Sequence, residues 1–239
     1  MSRKVSIIIP AYNEEKYLGS ALASVEKQFY DPDRLEVIVV DNCSSDNTSQ
    51  VFQSFIGTNT IKMTLLHEPV LGVSKAKNCG AAAAEGEILL FLDADSQMSE
   101  NLVQVIDRYY EQGYWMGIIK LFPDSMDRTA RFFFRLIDFG KRTFRIAAHM
   151  GYCNRDVFWS AGGFPPQRKH AEDLELFTKI KKALRKNRKK YCYIEEAYIT
   201  TSTRRMDRLP LKLGYPLTLS EWFFGGLLGL GKRHYKPYR

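Results

Sequence analysis

Two carboxylates follow an uninterrupted apolar run in the segment ILLFLDADSQ at residues 88–97. Asp93 and Asp95 are two positions apart, so in extended backbone their side chains point to the same side. Carboxylates beside an apolar core cost free energy unless a cationic group compensates them. The pair therefore predicts a shared ligand.

Two further apolar runs end abruptly in polar residues. They are VSIIIPAYN at residues 5–13 and LEVIVVDNCSSD at residues 35–46. Continuous rather than alternating apolar residues indicate strands covered on both faces, as in a parallel sheet. Such sheets bind ligands beyond the carboxyl ends of their strands. The polar residues that follow the two runs are Tyr12, Asn13, Glu14, Asp41 and Asn42.

Helical segments lie between these runs. Residues 14–28 and 73–85 have helical periodicity, a helix is expected after Ser45 and Asp46, and residues 61–67 indicate another strand. The alternation of strand and helix is typical of a doubly wound α/β domain.

The second half of the chain is less regular. Residues 128–148 mix aromatic with basic residues and predict an amphipathic helix interrupted near Gly140. Residues 160–166 predict a loop, residues 171–190 a helix and residues 191–200 a strand.

The bulk composition is that of a globular protein with one large domain, because 45% of its 239 residues are hydrophobic. The four scattered cysteines predict free thiols in a reducing compartment. The N-terminal segment lacks a small-residue cleavage site, so a cytoplasmic protein is expected.

Charge divides the chain into an acidic and a basic half. Residues 1–127 contain 10 Lys and Arg against 18 Asp and Glu, whereas residues 128–239 contain 25 against 9. The acidic half is suited to hold a cation, and the basic half to face an anionic partner or membrane.

The ordered segments resemble glycosyltransferase family 2, a family with the GT-A fold. The blocks that carry the resemblance are IIIPAYNEEKYL, VIVVDNCSSDNT, LGVSKAKNCGAAAAEGEILLFLDAD, GGF and AED, within roughly residues 4–200. The resemblance implies a doubly wound, mostly parallel α/β sheet. It divides the chain into a GT-A domain at 1–205, with nucleotide-sugar binding at 1–97 and acceptor binding and catalysis at 98–205, and a basic, apolar C-terminal segment at 206–239.

The resemblance also implies a set of nucleotide contacts. Those lining the pocket would be Pro10, Tyr12 and Glu14. Asp41 would accept a hydrogen bond from the base, and Asp93 would bind the ribose. Lys77 stands where the family usually has arginine and lacks the planar fork of that side chain.

Metal binding and catalysis are assigned in the same way. Asp95 would hold Mn²⁺ or Mg²⁺, which prefer oxygen ligands, and Gln97 would be a further ligand, as in polyprenyl-phosphate mannosyltransferases. Asp173, with Glu172 beside it, would take the proton of the acceptor hydroxyl in one inverting displacement.

Acceptor or phosphate contacts are assigned to four residues: Gly162, Gly163, Arg204 and Arg205. Each assignment has a structural alternative. The two glycines suit a turn, the arginines an exposed basic loop, and Asp41 a helix cap. Glu172 and Asp173 fall in the first turn of a predicted helix, where its dipole favours acids.

The resemblance predicts a metal-dependent, inverting glycosyltransferase of surface glycan or glycolipid synthesis, with a hydroxyl or lipid-phosphate acceptor. A UDP-sugar is favoured by Asp41, and a GDP-mannose-dependent polyprenyl-phosphate mannosyltransferase-like enzyme is the alternative indicated by DADSQ.

The C-terminal segment at residues 213–230, followed by basic residues, favours docking on an anionic membrane at the cytoplasmic face, with packing on the domain as the alternative. A nucleic-acid-binding protein fits the pI near 9.2, but no such motif is present and no nucleic acid is expected. A sugar-phosphate nucleotidyltransferase is disfavoured because PAYNEEKYL lacks a glycine-rich phosphate loop.

Overall fold

The computed structural model describes residues 2–57, 60–144, 151–165 and 172–204. The strands are β1 (Val5–Ala11), β2 (Leu35–Asp41), β3 (Lys62–His67), β4 (Ile88–Phe91), β5 (Ser96–Met98), β6 (Tyr114–Pro123), β7 (Tyr152–Asn154) and β8 (Lys190–Thr201). The helices are α1 (Leu18–Glu26), α2 (Thr48–Gln53), α3 (Val73–Ala83), α4 (Leu102–Glu111), α5 (Arg128–Phe144), α6 (Arg155–Ser160) and α7 (Glu172–Lys186). A short 3-10 turn covers Pro32–Arg34.

The strands form one eight-stranded sheet in the order β3-β2-β1-β4-β7-β6-β8-β5. Strands β1 to β4 are parallel, and β5 and β7 run against the other strands. The predicted α/β architecture with a mostly parallel sheet is therefore confirmed. The parallel register places the ends of β1 and β2 side by side, since Ala11 pairs with Asp41.

The sheet separates two hydrophobic cores, which explains the continuous apolar runs. In β1, Ile7 and Ile9 belong to the core covered by α1, α2 and α4, whereas Ile8 belongs to the core covered by α3, α6 and α7. Both sets of side chains are fully buried. A strand buried on both faces cannot alternate with polar residues, so these runs appear uninterrupted.

Helix α3 lies unusually close to the sheet because small residues face it. A Cβ atom on Gly80 would lie 2.5 Å from Cγ2 of Ile8 and 3.1 Å from Cγ2 of Val40. Ala76 and Ala81 complete this contact and are almost fully buried. The short distance brings Lys77, on the same helix, towards the carboxyl end of the sheet.

The predicted interruption near Gly140 is wrong, because α5 continues through Gly140 as a single helix of 17 residues. Its inner side chains Ala130, Phe133 and Phe134 are buried and pack against Leu121 and Ile137. A glycine inside a helix costs about 1 kcal/mol relative to alanine, which aromatic burial of this kind exceeds. The short strands β5 and β7 and the elements α4 and β6 had not been anticipated.

No helix among the described residues is both long and apolar enough to span a membrane.

The loop after α6 is held against α3 by one asparagine. Gly162 and Gly163 have φ angles of 89° and 65°, in the left-handed region that favours glycine. Their amides return to the carbonyls of Trp159 and Phe158, so the glycines terminate α6. Asn78 of α3 accepts from the Phe164 amide at 2.9 Å and donates to the Phe164 carbonyl at 2.8 Å.

Replacing Asn78 with alanine removes both hydrogen bonds to Phe164. We expect a loss of about 1–3 kcal/mol in the free energy of unfolding, because polar backbone groups lose their partners. Urea denaturation measures this loss, and amide hydrogen exchange at Phe164 should accelerate.

The control is Asn187→Ala, since Asn187 is exposed and donates to the nearby Ala183 carbonyl. Unchanged exchange at Phe164 in the Asn78 variant would show that other contacts hold the loop.

Candidate functional site

The loops that follow β1 and β2 are bound to each other at the edge of the sheet. The Asn13 amide donates to Ser44 Oγ at 3.0 Å, and the Ser45 amide donates to Asn13 Oδ1 at 2.8 Å. The Glu14 amide donates to Thr48 Oγ1 at 2.8 Å. Asn13 itself has a φ of 56°, which asparagine tolerates better than most residues. These bonds form a defined rim beside Tyr12, which is half-buried.

Asp41 is buried at the end of β2 and is held by its own loop. Its Oδ1 accepts from the Ser44 amide at 3.0 Å, and its Oδ2 accepts from Ser49 Oγ at 2.6 Å. Burial raises the pKa of Asp41, but the hydrogen bonds from Ser44 and Ser49 outweigh it and lower the pKa below its ordinary value. The carboxylate is therefore ionised at neutral pH and acts as a hydrogen-bond acceptor.

Asp41 is not the cap of α2, because the Thr48 amide at the start of this helix donates to Asp46 Oδ1 at 3.0 Å. The contacts of Asp41 instead hold the Ser44 amide of the loop and the Ser49 hydroxyl of α2. They do not use all the acceptor capacity of an ionised carboxylate, which offers about four lone-pair sites. His67 Nδ1 lies 3.7 Å from Asp41 Oδ2. Both the structural role and base binding are thus compatible with this geometry.

Asp95 is bound by an arginine from the other end of the described chain. Arg204 Nε donates to Asp95 Oδ2 at 3.1 Å, and Arg204 Nη2 lies 3.0 Å from the same oxygen. The guanidinium also binds Glu14 Oε1 and stacks over the Tyr17 ring at 4.3 Å. A cationic group therefore compensates Asp95, as its position after an apolar strand requires.

The segment around Arg204 is held by hydrogen bonds of backbone and side-chain groups. The Ser202 amide donates to the Asp95 carbonyl at 3.2 Å, and Ser96 Oγ donates to Thr201 Oγ1 at 2.9 Å. Asp124 Oδ1 accepts from the amide of Thr203 at 2.9 Å and from its hydroxyl at 3.0 Å. The end of β8 is thereby joined both to the Asp93–Asp95 turn and to the residues that precede α5.

Lys77 and Asp93 line one small cavity of about 60 Å³ between the sheet and the loops. The remaining lining residues are Phe91, Ser96, Ile119, Leu121, Gly151, Ile199 and Thr201. Lys77 is buried, and its Nζ lies 4.9 Å from the centre of the Phe164 ring. A ligand of 300 Å³ or more, roughly the lower bound for small-molecule sites, would occupy this cavity only with one of its ends.

Gln97 is directed to the opposite face of the β5–β8 ladder. It lines a groove of about 750 Å³ with Lys27, Phe29 and Tyr198, away from the cavity of Asp93. Strand β5 begins at Ser96, so Asp95 lies in the preceding turn and the two-residue alternation does not extend to it. The structure places Gln97 in this groove, and its assignment as a metal ligand remains a prediction.

Other predicted residues lie at the limits of the described chain. Glu172 and Asp173 begin α7, but their side chains are outside the described residues, as are Arg205 and the segment 206–239. Pro10 lies in β1, next to the rim. The assignments of these residues remain predictions.

The carboxylates of this site fit a divalent ion only together with further oxygen ligands. Among the described residues, no group of three or more His, Cys, Asp or Glu side chains is arranged to hold a metal ion by itself. Asp95 and Glu14 nevertheless converge on one cationic group. One or two carboxylates completed by phosphate oxygens and water are a common set for Mg²⁺, so the residues fit an ion that arrives with a diphosphate.

Sequence reasoning missed the residues that hold the site in place. Ser44 and Ser49 bind Asp41, and Asp124 binds Thr203. Asn78 binds Phe164 in the loop of Gly162 and Gly163 after α6, the glycine loop. Both serines are close in sequence to Asp41, so the Ser residues that follow this Asp are a local signal that could have indicated them. The contacts of Asn78 and Asp124 span 86 and 79 residues, and no local pattern indicates such pairs.

Solved structures with the same architecture include two glycosyltransferases. Staphylococcus aureus TarS 1-349 in complex with UDP-GlcNAc superposes with a TM-score of 0.70 at 23% identity, covering 84% of this chain and 59% of that one. The mannosyltransferase PcManGT of Pyrobaculum calidifontis, in complex with GDP-Man and Mn²⁺, gives 0.72 at 19% identity, with 99% and 66% covered. At these identities the likeness shows a common fold, that of GT-A enzymes.

Curated relatives share part of their sequence with the chain. The poly(ribitol-phosphate) β-N-acetylglucosaminyltransferase TarS of S. aureus is 36% identical over 101 residues, covering 42% of this chain and 18% of that protein. The glycosyltransferase GlyG of Streptococcus pneumoniae is 32% identical over 106 residues, covering 44% and 35%. The chain thus spans about a fifth to a third of these relatives.

The sequence model of the family described as "Glycosyl transferase family 2" matches residues 6–161. This range includes β1 from its second residue, β2, β4 and both carboxylates of the DAD segment. With the order of the strands and the site at their carboxyl ends, this match shows that the chain belongs to glycosyl transferase family 2.

Proposed function

We propose that the chain is a metal-dependent, inverting glycosyltransferase that moves a sugar from a nucleotide-sugar donor to a hydroxyl or lipid-phosphate acceptor. The observation that carries the proposal is the cationic group bound by Asp95 and Glu14, next to the cavity of Lys77 and Asp93. A position that attracts positive charge at the carboxyl end of β4 suits an ion that binds a diphosphate.

The donor is proposed to lie across the carboxyl ends of β1, β2 and β4. Asp41 accepts a hydrogen bond from the base, with the Tyr12 ring and Pro10 beside it, and Asp93 binds the ribose. Lys77 supplies a buried positive charge for the phosphates from α3. Because the cavity of Lys77 is small, the greater part of the donor lies outside it, between the rim and the glycine loop.

A divalent ion, Mn²⁺ or Mg²⁺, is proposed to bind at Asp95. When bound, it stabilises the negative charge of the leaving diphosphate as a Lewis acid. Asp95 and Glu14 both contact the Arg204 guanidinium, so both lie close to the position proposed for the ion. Gln97, on the opposite face of the sheet, is not used in this arrangement.

Asp173 is proposed as the general base, with Glu172 beside it. Its backbone lies in the first turn of α7, directly after the segment that follows the glycine loop. Removing the proton of the acceptor hydroxyl during attack on the sugar gives a single displacement, which inverts the anomeric configuration.

A UDP-sugar is the favoured donor, because an ionised Asp41 accepts the N–H of uracil. GDP-mannose with a polyprenyl-phosphate acceptor is the alternative, supported by the fold shared with PcManGT. The proposed setting is surface glycan or glycolipid synthesis at the cytoplasmic face of a membrane.

Calorimetric titration of UDP and of GDP, each with and without Mn²⁺, tests the donor site. We expect UDP to bind in a metal-dependent way, and Asp95→Asn to weaken that binding about 10- to 100-fold, the range seen when metal sites lose supporting groups.

The control for Asp95 is Asp33→Asn, which removes an exposed carboxylate from the 3-10 turn. Tight GDP binding without UDP binding would favour the mannosyl alternative. Binding of neither nucleotide under any metal contradicts the donor-site proposal.

Asp173→Asn should leave nucleotide binding within about twofold but slow transfer about 100-fold or more, the usual contribution of a general base. The measurement is UDP release from a panel of UDP-sugars with excess glycerol as the acceptor hydroxyl. Glu175→Gln is the matched control, because Glu175 lies two residues further along α7 and pairs with Lys179 at 3.0 Å. Transfer near the wild-type rate in the Asp173 variant excludes this residue as the base.

Arg204 and a divalent ion are proposed to compete for Asp95, because the guanidinium already uses Oδ2. Arg204→Gln should therefore bind Mn²⁺ at least about tenfold more tightly in the absence of nucleotide, since a competing charge-assisted contact of about 1.5 kcal/mol or more is removed. The same variant should bind UDP with Mn²⁺ more weakly, because it lacks the guanidinium that would otherwise be available to the diphosphate.

Mn²⁺ binding in the Arg204 variant is measured by electron paramagnetic resonance of the free ion. Arg108→Gln, which breaks the exposed pair with Glu196, is the control. Equal Mn²⁺ affinity in the Arg204 variant and the wild type would rule out competition at Asp95.

A further inference from the structure

The outward surface of α5 is unusually apolar for an exposed helix. Phe132 and Phe139 are 68% and 62% exposed, and Leu136 is 43% exposed. Their spacing of four and three residues places the three side chains in one stripe along the helix. Contiguous apolar surface of this kind marks interaction sites more often than chance exposure.

These residues are not required to hold α5 on the domain. The opposite side of the helix contributes Ala130, Phe133 and Phe134, which are buried and pack against Leu121 and Ile137. The exposed stripe is therefore additional to the contacts that fold the helix.

Arginines line one flank of the stripe. Arg128, Arg135 and Arg142 are spaced by seven residues, so they form a row along the helix, with Arg131 beside it. All four are exposed. Arg142 also pairs with Glu195 Oε1 at 2.8 Å. We call the stripe and this row together the outer face of α5.

Besides Glu195, two acidic residues near this face, Asp127 and Asp138, bind groups within the domain. Asp127 Oδ1 accepts from the amides of Thr129 and Ala130 at 2.7 and 3.2 Å and so caps the helix. Asp138 accepts a hydrogen bond from the hydroxyl of Tyr193. The outer face thus combines an apolar stripe with a row of positive charge.

We propose that the outer face of α5 docks on an anionic lipid surface. Arginine guanidinium groups bind phosphate oxygens in a bidentate manner, and aromatic side chains beside them enter the boundary between headgroups and acyl chains. The positive row complements the negative charge of anionic headgroups. This arrangement lies in the described part of the chain and is separate from the segment 206–239.

Docking in this orientation brings the candidate site next to the lipid. Leu121 packs against the inner side of α5 and also lines the cavity of Lys77 and Asp93. Asp124, four residues before α5, binds Thr203, the neighbour of Arg204. A lipid-linked acceptor would therefore reach the site from the docked side, although the docking itself does not depend on the transferase activity.

The test is flotation of the full chain with phosphatidylcholine vesicles that contain or lack phosphatidylglycerol. We expect binding to the anionic vesicles and little to the neutral ones. A double variant, Phe132→Ser with Phe139→Ser, should reduce the partition coefficient at least about tenfold, because two aromatic side chains no longer enter the interface.

A second variant, Arg128→Gln with Arg135→Gln, should reduce the partition coefficient about 30-fold at low salt, since each basic residue near the surface contributes roughly a fivefold factor. Matched controls remove an exposed phenylalanine elsewhere, with Phe29→Ser, or two exposed charges from α7, with Lys182→Gln and Arg185→Gln. The control variants should bind anionic vesicles as the wild type does. Loss of binding in the test variants then follows from the outer face, and not from the removal of any exposed phenylalanine or of net charge.

Three results would overturn the proposal. The first is absence of binding to anionic vesicles, and the second is wild-type binding by the phenylalanine variant. The third is a dimer in sedimentation velocity that this variant dissociates, because the outer face would then contact a second copy of the chain. Circular dichroism and thermal unfolding of each variant show that altered binding does not arise from unfolding. Because no step needs a nucleotide, the result is independent of the donor-site experiments.

Discussion

The ion pair between Asp95 and Arg204 joins the two halves of this protein at its candidate site. Asp95 is only 8% exposed at its side chain, and Glu14, at 10%, contacts the same guanidinium. Carboxylates enclosed in this way need a positive partner. Removing the cation of a buried ion pair lowers the free energy of unfolding by several kcal/mol. The chain supplies that partner from 109 residues away, so the carboxyl end of β4 and the end of β8 must come together.

The same contact gives the acidic side chains of the candidate donor site a counter-charge that belongs to the chain itself. An arginine that stacks on Tyr17 and binds two acids is a fixed counter-charge for the folded chain. Under the proposed function, Asp95 and Glu14 would hold the ion, which would supply the charge compensation of Asp95 and leave the Arg204 guanidinium available to bind the diphosphate. A flexible cation with a planar fork suits both positions, because carboxylate and phosphate offer it similar oxygen geometry.

The uneven distribution of charge along the sequence corresponds to two surfaces of one domain. Three acids of the first half, Asp41, Asp93 and Asp95, lie at the carboxyl ends of parallel strands. The basic second half contributes the outer face of α5 and the arginine that enters the acidic site. Asp124 and Leu121 connect the two surfaces, since one binds the Thr203 backbone and the other separates the cavity from α5.

Local sequence was sufficient for the strands β1, β2 and β4, because burial on both faces leaves an uninterrupted apolar run that ends where the polar site begins. The types and spacing of Asp93 and Asp95 indicated a site for positive charge. The family resemblance rested on the same residues, and the match over residues 6–161 confirms it.

Tertiary structure decided what depends on distant partners or on where a strand starts. Gln97 faces the opposite groove because β5 begins at Ser96, after the turn that contains Asp95. Helix α5 passes through Gly140 because aromatic packing on β6 outweighs the local cost of glycine. The binding of Arg204 to Asp95, and of Asn78 to Phe164, follows from the order of strands in the sheet. A short-range sequence pattern does not predict the order of the strands, because it depends only on the burial and conformation of neighbouring residues.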